Sequence, residues 1–129
     1  MTKSNENGKI GENIAAEFYM ANGYRIAERN YRAGHNEIDI IAENENSIAF
    51  AEVKTRTNTA SAIMYGSPKK AVGEKKKEHL LEAAKVYLRT TGIKKQPRMD
   101  VVEIFLDEKG GFLKMNYIRS AFGERENRY

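Results

Sequence analysis

Two strand-like segments of this chain carry charged residues where a buried sheet would normally be apolar. They read NEIDIIA from residue 36 and FAEVK from residue 50. The charged positions are Glu37, Asp39, Glu52 and Lys54. A pair of carboxylates can hold a divalent cation, and a neighbouring amine can orient or help deprotonate a water molecule. This combination favours metal-dependent hydrolysis, for which the phosphodiester backbone of a nucleic acid is a suitable substrate.

The polar residues 43–47 between these segments predict an antiparallel hairpin. If the loop holds an even number of residues centred on positions 45 and 46, Asp39 lies opposite Glu52. Glu37 then lies opposite Lys54, and all four side chains share one face because side chains alternate along a strand. Directly opposed Cβ atoms lie about 4.5 to 5.5 Å apart, so the two carboxylates repel each other unless a cation separates them. An odd loop would place Asp39 and Glu52 on opposite faces.

Oxygen ligands predict a hard cation, Mg²⁺ or Mn²⁺, as the cofactor. The chain has no cysteine, and His35 is the only histidine near the two segments. Asp39 and Glu52 are the expected ligands, with the backbone carbonyl of Val53 and water completing the oxygen shell. Lys54 would position the attacking water or balance the charge of a phosphate.

Glu17 is the fourth candidate for a catalytic role. It lies in residues 11–22, which have the helical spacing of Ile14 and Phe18, and it projects at the margin of that apolar face. Each candidate also has an ordinary structural interpretation, because Glu–Lys pairs often protect sheet edges and helix glutamates are often solvated. Four charged residues on one face of a hairpin favour the catalytic interpretation.

Basic residues are concentrated in the middle of the chain. Residues 54–98 have a net charge of +9, whereas residues 1–53 have a net charge of −4. A basic surface beside an acidic one suits a protein that holds a polyanion and a cation, so nucleic acid, and DNA in particular, is the expected partner. The expected phosphate contacts are Arg56, Lys69, Lys70, Lys76 and Lys77. A lysine-rich helix kept for solubility and a basic helix that meets an acidic protein are the alternatives.

Periodicity and turn residues predict a single layered α/β domain over residues 1–129. The predicted order is a helix over 11–22, strands over 24–31, 37–42 and 48–54, a helix from Ser67 to Gly92, and strands over 99–106 and 112–118. Asn36 is expected to tolerate positive φ in the turn before the second strand. No segment approaches the roughly 18 consecutive apolar residues of a membrane span, and the start of the chain has no apolar signal region. A cytoplasmic protein without a membrane segment is expected, and the oligomeric state stays open, a homodimer included.

Six motifs in order along the chain carry a resemblance to a known family. They are AEFYMANGYRIAERNYR, NEIDIIA, AFAEVKTR, YGSPKKAV followed by Lys76, RMDVVEI and SAFG. With these motifs the chain resembles the YraN-like family of uncharacterised proteins over nearly its whole length. That family is similar to the restriction-endonuclease-like, PD-(D/E)xK nuclease superfamily. One departure is Asn36, which stands where family members usually have a glycine directly before Glu-Ile-Asp.

The resemblance implies an α/β fold with a mixed central sheet flanked by helices. It also implies roles for four residues: Asp39 as the metal-binding aspartate, Glu52 as the acid of the second strand, Lys54 as the lysine of the motif, and Glu17 as the acid of the preceding helix. The implied function is a metal-dependent endonuclease acting on DNA. Because the superfamily includes inactive members, a non-catalytic nucleic-acid-binding protein with a vestigial site is the alternative.

Overall fold

The computed structural model describes residues 3–57 and 73–123, and within residues 3–5 only the backbone. The described residues form the predicted α/β arrangement in the predicted order of elements. The elements are α1 (Lys3–Ala21), β1 (Arg25–Ala33), β2 (Asn36–Glu43), β3 (Ser47–Thr57), α2 (Glu74–Thr91), β4 (Gln96–Leu106) and β5 (Phe112–Phe122). Neither described helix is long and apolar enough to cross a membrane.

A mixed sheet with the strand order β1-β2-β3-β4-β5 forms the centre of the fold. β3 and β4 run parallel, and the other neighbouring strands run antiparallel. Parallel neighbours need a crossover connection, and α2 lies in the connection between β3 and β4. α1 packs mainly against β3 and β4, whereas α2 packs mainly against β2. This mixed sheet flanked by helices agrees with the restriction-endonuclease-like architecture implied by the resemblance.

Each face of the sheet has its own apolar core beneath one helix. The α1 side buries Ala15, Ala16, Tyr19, Ile40, Ala42, Ala49, Ala51, Val102, Ile104 and Leu106. The α2 side buries Ile38, Ile41, Ile48, Phe50, Leu80, Ala83, Ala84, Tyr87, Met99 and Val101. A Cβ atom at Gly11 would clash with Thr55 Oγ1, so the absence of a side chain lets α1 approach β3 closely. The central strands are therefore buried on both faces, as is usual for the parallel part of a sheet.

The two helices differ in extent from their predicted bounds. α1 begins at Lys3 instead of residue 11, and it ends before Gly23, which has a φ of 88°. α2 begins at Glu74 and not at Ser67, because Gly73 has an extended backbone with φ −74° and ψ 169°. A helix cannot continue back through this residue. The proposed helix start at Ser67 lies outside the described residues.

The turn between β1 and β2 also differs from the prediction. Ala33 pairs with Asn36, so the turn consists of Gly34 and His35. The positive φ of 65° falls on Gly34, and Asn36 is already part of β2. Glycine adopts this conformation without steric cost, so the chain can have asparagine directly before Glu37.

Candidate active site

The β2–β3 hairpin has the predicted register. Ile40 pairs with Ala51, and Glu43 pairs with Ile48. The backbone N–H of Asn44 donates to the carbonyl oxygen of Ser47 at 3.0 Å, which leaves an even, two-residue turn. Continued by one step, this register brings Asp39 to Glu52, as the sequence predicts.

The regular strand geometry breaks at Asp39. Ile38 packs on the α2 side of the sheet and Ile40 on the α1 side, although residues two apart in a regular strand share a face. On the neighbouring strand β1, Tyr31 pairs with Ile38 and Arg29 pairs with Ile40. Asn30, between these two β1 residues, has a φ of 55°. Asp39 Oδ2 accepts a hydrogen bond of 2.8 Å from the backbone N–H of Val53. The irregularity therefore directs the carboxylate of Asp39 towards β3 instead of along the normal to the sheet.

Asp39 and Glu52 form a close carboxylate pair. The pKa of Asp39 is raised from its usual value of 3.8 to about 7, first by burial and second by the neighbouring carboxylate of Glu52. The hydrogen bond from Val53 opposes this increase. Glu52 is only 5% exposed. The predicted pair is thus brought together in a buried position.

Two amines lie near the carboxylate pair without binding it closely. Lys54 Nζ is 3.7 Å from Glu52 Oε2, and Lys76 Nζ is 3.8 Å from the same oxygen. Both distances exceed the 2.7 to 2.9 Å that is usual for a charge-assisted hydrogen bond. The side chains of Lys54 and Lys76 are 39% and 44% exposed, so their amines also reach solvent beside the pair. Glu37 does not face Lys54 as predicted, because its carboxylate pairs with Arg32 at 3.4 Å.

The acid that α1 brings near the pair is Glu12, whereas Glu17 is exposed and has no described contact with the pair. The carboxylate of Glu12 contributes to the raised pKa of Asp39. It also accepts hydrogen bonds from Arg29 at 3.0 Å and from Asn30 at 3.2 Å. The two glutamates lie about 140° apart around the helix axis, so they cannot serve the same site.

The sequence contains a signal that would have favoured Glu12. Small residues mark the face of a helix that packs closest to a sheet, and Ala15 and Ala16 are both buried. Glu12 precedes them by three and four residues, which places it on their face of α1. The apolar spacing of Ile14 and Phe18 defines a neighbouring face and pointed to Glu17 instead.

The donor atoms at this site suit a hard cation with few protein ligands. Both donors are carboxylates, and Mg²⁺ is commonly bound through one or two carboxylates with several waters retained. Within residues 3–57 and 73–123, no group of three or more His, Asp or Glu side chains is placed to hold a metal ion. Val53 contributes its N–H to Asp39, and the proposed role of its carbonyl oxygen as a ligand stays a prediction. The pair therefore fits an ion that keeps most of its water shell.

The predicted phosphate contacts do not form one group. Lys76 lies at Glu52, whereas Lys77 Nζ lies 5.7 Å from the centre of the Phe122 ring and 3.3 Å from Glu74 Oε2. Arg56 Nε donates to Glu103 Oε2 at 2.8 Å. Lys69 and Lys70 lie outside the described residues.

A second acidic cluster, on the α1 side of the sheet, is centred on the fully buried Asp100. Its Oδ2 accepts hydrogen bonds from Tyr19 at 2.7 Å and from Tyr117 at 2.9 Å. Its Oδ1 accepts bonds from Arg98 Nε at 2.9 Å and from the N–H of Ser120 at 3.0 Å. Among the described residues, Arg98 Nη1 is the one buried side-chain nitrogen or oxygen without a hydrogen-bond partner. Asp100 was not among the predicted site residues, although it lies among apolar residues of its strand as Asp39 does.

Comparison with known proteins shows close relatives across almost the whole chain. The model of a family described as "Uncharacterised protein family UPF0102" matches residues 11–104. A UPF0102 protein of Caldanaerobacter subterraneus subsp. tengcongensis is 40% identical over 117 residues, which cover 89% of this chain and 93% of that relative. One from Chloroherpeton thalassium is 44% identical over 120 residues, covering 91% and 82%. One from Bacteroides thetaiotaomicron is 38% identical over 122 residues, covering 95% and 96%.

Proposed function

The chain belongs to the uncharacterised protein family UPF0102, and from its site we propose that it is a metal-dependent endonuclease that hydrolyses phosphodiester bonds of DNA in the cytoplasm. The observation that carries this proposal is the buried pair of Asp39 and Glu52, in which burial first and the carboxylate of Glu52 second raise the pKa of Asp39 to about 7. Strongly shifted carboxylates with a specific charged partner are typical of functional sites. The family resemblance of the surrounding motifs to the PD-(D/E)xK superfamily supports the same conclusion.

Asp39 and Glu52 would hold Mg²⁺ or Mn²⁺, which supplies positive charge where negative charge accumulates on the phosphate during hydrolysis. The N–H of Val53 fixes one oxygen of Asp39, so this carboxylate has a defined orientation. Glu52 is held between its strand and two amines, Lys54 and Lys76. The chain thus presents two oriented carboxylates at the point where β2 and β3 separate.

Lys54 is the residue that we assign to the attacking water. Its amine lies 3.7 Å from Glu52 Oε2 and is partly exposed, so it can donate a hydrogen bond to a water molecule or to a phosphate oxygen. Lys76 approaches the same carboxylate from α2 and can balance charge on the phosphate. These two amines divide the tasks of orienting water and holding substrate.

The test is incubation of labelled single-stranded, duplex and branched DNA, and RNA, with and without Mn²⁺. We expect cleavage of DNA that requires Mn²⁺ and disappears in Asp39→Ala. Glu45→Ala is the matched control, because this exposed carboxylate lies in the hairpin turn away from the pair. Wild-type protein that cuts no substrate in the panel, or cutting that persists in Asp39→Ala, would contradict the proposal.

The second candidate is a non-catalytic nucleic-acid-binding protein with a vestigial site. It is favoured by the small number of ligands, since the described residues supply two carboxylates and no third at the site. This candidate predicts binding of nucleic acid that is unaffected by Mn²⁺ and by Asp39→Ala. Binding of the protein to the same labelled nucleic acids, measured with and without Mn²⁺, separates the two functions.

A further inference from the structure

Charged and polar side chains continue from the carboxylate pair across three strands of the sheet. Along β3, Lys54 and Arg56 follow Glu52 at intervals of two residues and therefore share its face. The register of the parallel pair β3–β4 and of the antiparallel pair β4–β5 extends this face in two rows. The rows are Lys54, Glu103 and Asn116, and next to them Arg56, Phe105 and Lys114.

Side-chain contacts confirm that the rows lie on one surface. Glu103 accepts hydrogen bonds from Arg56 Nε at 2.8 Å and from Asn116 Nδ2 at 3.3 Å. Lys114 Nζ lies 5.8 Å from the centre of the Phe105 ring. Phe105 is buried, whereas Lys114 is exposed. The surface formed by these rows, which we call the β3–β5 strip, thus has an apolar base and two cationic side chains above it.

Glu103 holds Arg56 in a defined orientation. This carboxylate is fully buried, and it binds Arg56 through Nε while the Arg56 side chain stays 36% exposed. A guanidinium bound at Nε has its two Nη groups at the outer end of the side chain, where they form the planar fork that matches a phosphate. An acid that is fully buried beneath an exposed arginine suits positioning better than a simple surface ion pair does.

We propose that the backbone of a bound nucleic acid leaves the carboxylate pair along the β3–β5 strip, with phosphates held by Arg56 and Lys114 and with Glu103 as the residue that positions Arg56. This inference rests on the proposed function, because it takes the carboxylate pair as the point of cleavage. The two strand spacings between β3 and β5 amount to roughly 10 Å. Charges on one nucleic-acid strand repeat about every 3.4 Å along the helix axis, so the strip spans roughly two or three nucleotides. The acidic Glu103 is fully buried beneath the strip, where it pairs with Arg56 and accepts a hydrogen bond from the amide of Asn116, so it does not face the bound strand.

The test is the salt dependence of binding to a short labelled DNA, measured as a duplex and as a single strand with Ca²⁺ in place of Mn²⁺ to suppress cleavage. Arg56→Gln and Lys114→Gln should each reduce the slope of log affinity against log salt by about 1. Arg89→Gln near the end of α2 and Lys94→Gln just before β4 remove the same charge from exposed positions, at the opposite end of β4 from the strip, and should leave the slope unchanged. Slopes for Arg56→Gln and Lys114→Gln that equal those of the two controls would overturn the inference.

The role of Glu103 needs its own pair of variants. Glu103→Leu removes the acceptor without leaving a buried charge, and it should reduce the slope as much as Arg56→Gln does. Glu103→Gln keeps an acceptor oxygen for Arg56 Nε and should restore most of the slope. If both variants lose thermal stability while the slope stays at the wild-type value, Glu103 is structural and does not position Arg56.

The outcomes separate this inference from the function on which it rests. Binding that depends on Arg56 and Lys114, in a protein that cuts no DNA with Mn²⁺, would overturn the nuclease proposal and leave the β3–β5 strip in place. Cleavage with unaltered slopes in both variants would overturn only the strip. A wild-type protein that binds neither form of DNA would overturn both.

Discussion

β2 and β4 each hold an aspartate among buried residues, yet the two carboxylates have opposite surroundings. Asp100, on the α1 side, receives five hydrogen bonds, two of them from the guanidinium of Arg98. Asp39, where β2 and β3 separate, receives one bond from a backbone N–H and faces a second carboxylate, Glu52. The negative charge is compensated at Asp100 and left uncompensated at Asp39.

The pKa shifts at the two sites show the same difference between Asp100 and Asp39. Burial first, and then the charge and hydrogen bond of Asp100, raise the pKa of Tyr117 to about 12, so this tyrosine stays a donor. Burial alone would lower the pKa of Arg98, but its hydrogen bonds to Asp100 and Tyr24 raise it instead. At the other cluster it is the acid itself whose pKa rises. A buried acid that is bound by several donors of its own indicates structure, and one that faces a second acid indicates a site for an external cation.

Removal of the amine beside the uncompensated cluster should have the largest effect. Lys54→Ala leaves both carboxylates and the β3–β5 strip in place, so metal and nucleic acid should still bind. Cleavage should fall by about 10²- to 10⁴-fold, because the attacking water loses its oriented donor. Single-turnover cleavage together with binding in Ca²⁺ measures the two effects separately. A loss of binding equal to the loss of cleavage would show that Lys54 holds substrate instead of water.

Disruption of the compensated cluster should affect stability and not chemistry. Asp100→Ala leaves the guanidinium of Arg98 buried without its partner, which typically costs about 3 to 5 kcal/mol of unfolding free energy. Urea denaturation should show this loss, and the double variant Asp100→Ala, Arg98→Met should recover part of it. If Asp100→Ala is as stable as the wild type, the contrast between the two clusters is wrong.

Neutralising Asp39 should increase the unfolding free energy, in contrast to the decrease expected for Asp100→Ala. Asp39→Asn keeps an acceptor oxygen for the N–H of Val53 and removes the repulsion from Glu52. In the absence of metal at pH 8, we expect the variant to be more stable than the wild type by an amount of the order of 1 to 3 kcal/mol. Denaturation in the presence of a chelator checks this, and Asp107→Asn in the β4–β5 turn is the matched control. A less stable Asp39→Asn protein would mean that the carboxylate has a partner that compensates its charge.

The stability of the metal-free protein should also depend on pH through Asp39. Its pKa is higher in the folded chain than in the unfolded chain, so the folded state binds a proton that the unfolded state releases. The contribution of this group is fully present below about pH 4 and is lost as the pH rises through about 7. The stability difference between Asp39→Asn and the wild type should therefore grow over that range, and Mn²⁺ should reduce it at neutral pH. A difference that is independent of pH would contradict the raised pKa.

The smallest expected effect is that of Glu12, on α1, on the pKa of Asp39. Glu12→Gln should lower the pKa of Asp39 slightly, because one of the carboxylates that raise it becomes neutral. Glu17→Gln is the matched control on the same helix and should leave the titration unchanged. NMR titration of the Asp39 carboxyl carbon in the metal-free protein measures both. An equal shift in the two variants would remove the distinction between the two glutamates.

The hairpin shows how far the sequence alone determined the candidate site. Side chains alternate along a strand, so an even turn centred on residues 45 and 46 brings Asp39 to Glu52, whereas an odd turn would not. The sequence predicted the pair only on condition of the even turn, which the structure has. The order of elements and the helix ends at Gly23 and Gly92 followed from the same kind of local signal. Metal binding, cleavage and the DNA partner stay predictions, because spacing alone does not show chemistry.

Only the tertiary structure decided which groups surround the pair. Gly11 of α1 lies against Thr55 of β3, and in this packing the next residue, Glu12, lies close enough to affect the pKa of Asp39. The parallel placement of β4 beside β3 brings Glu103 opposite Lys54, although 49 positions separate them in the numbering. The compensation of Asp100 likewise depends on tyrosines from α1 and β5. A local pattern can show where an acid lies on its own strand, but the charges that neutralise it come from distant segments, and only the packed fold brings those together.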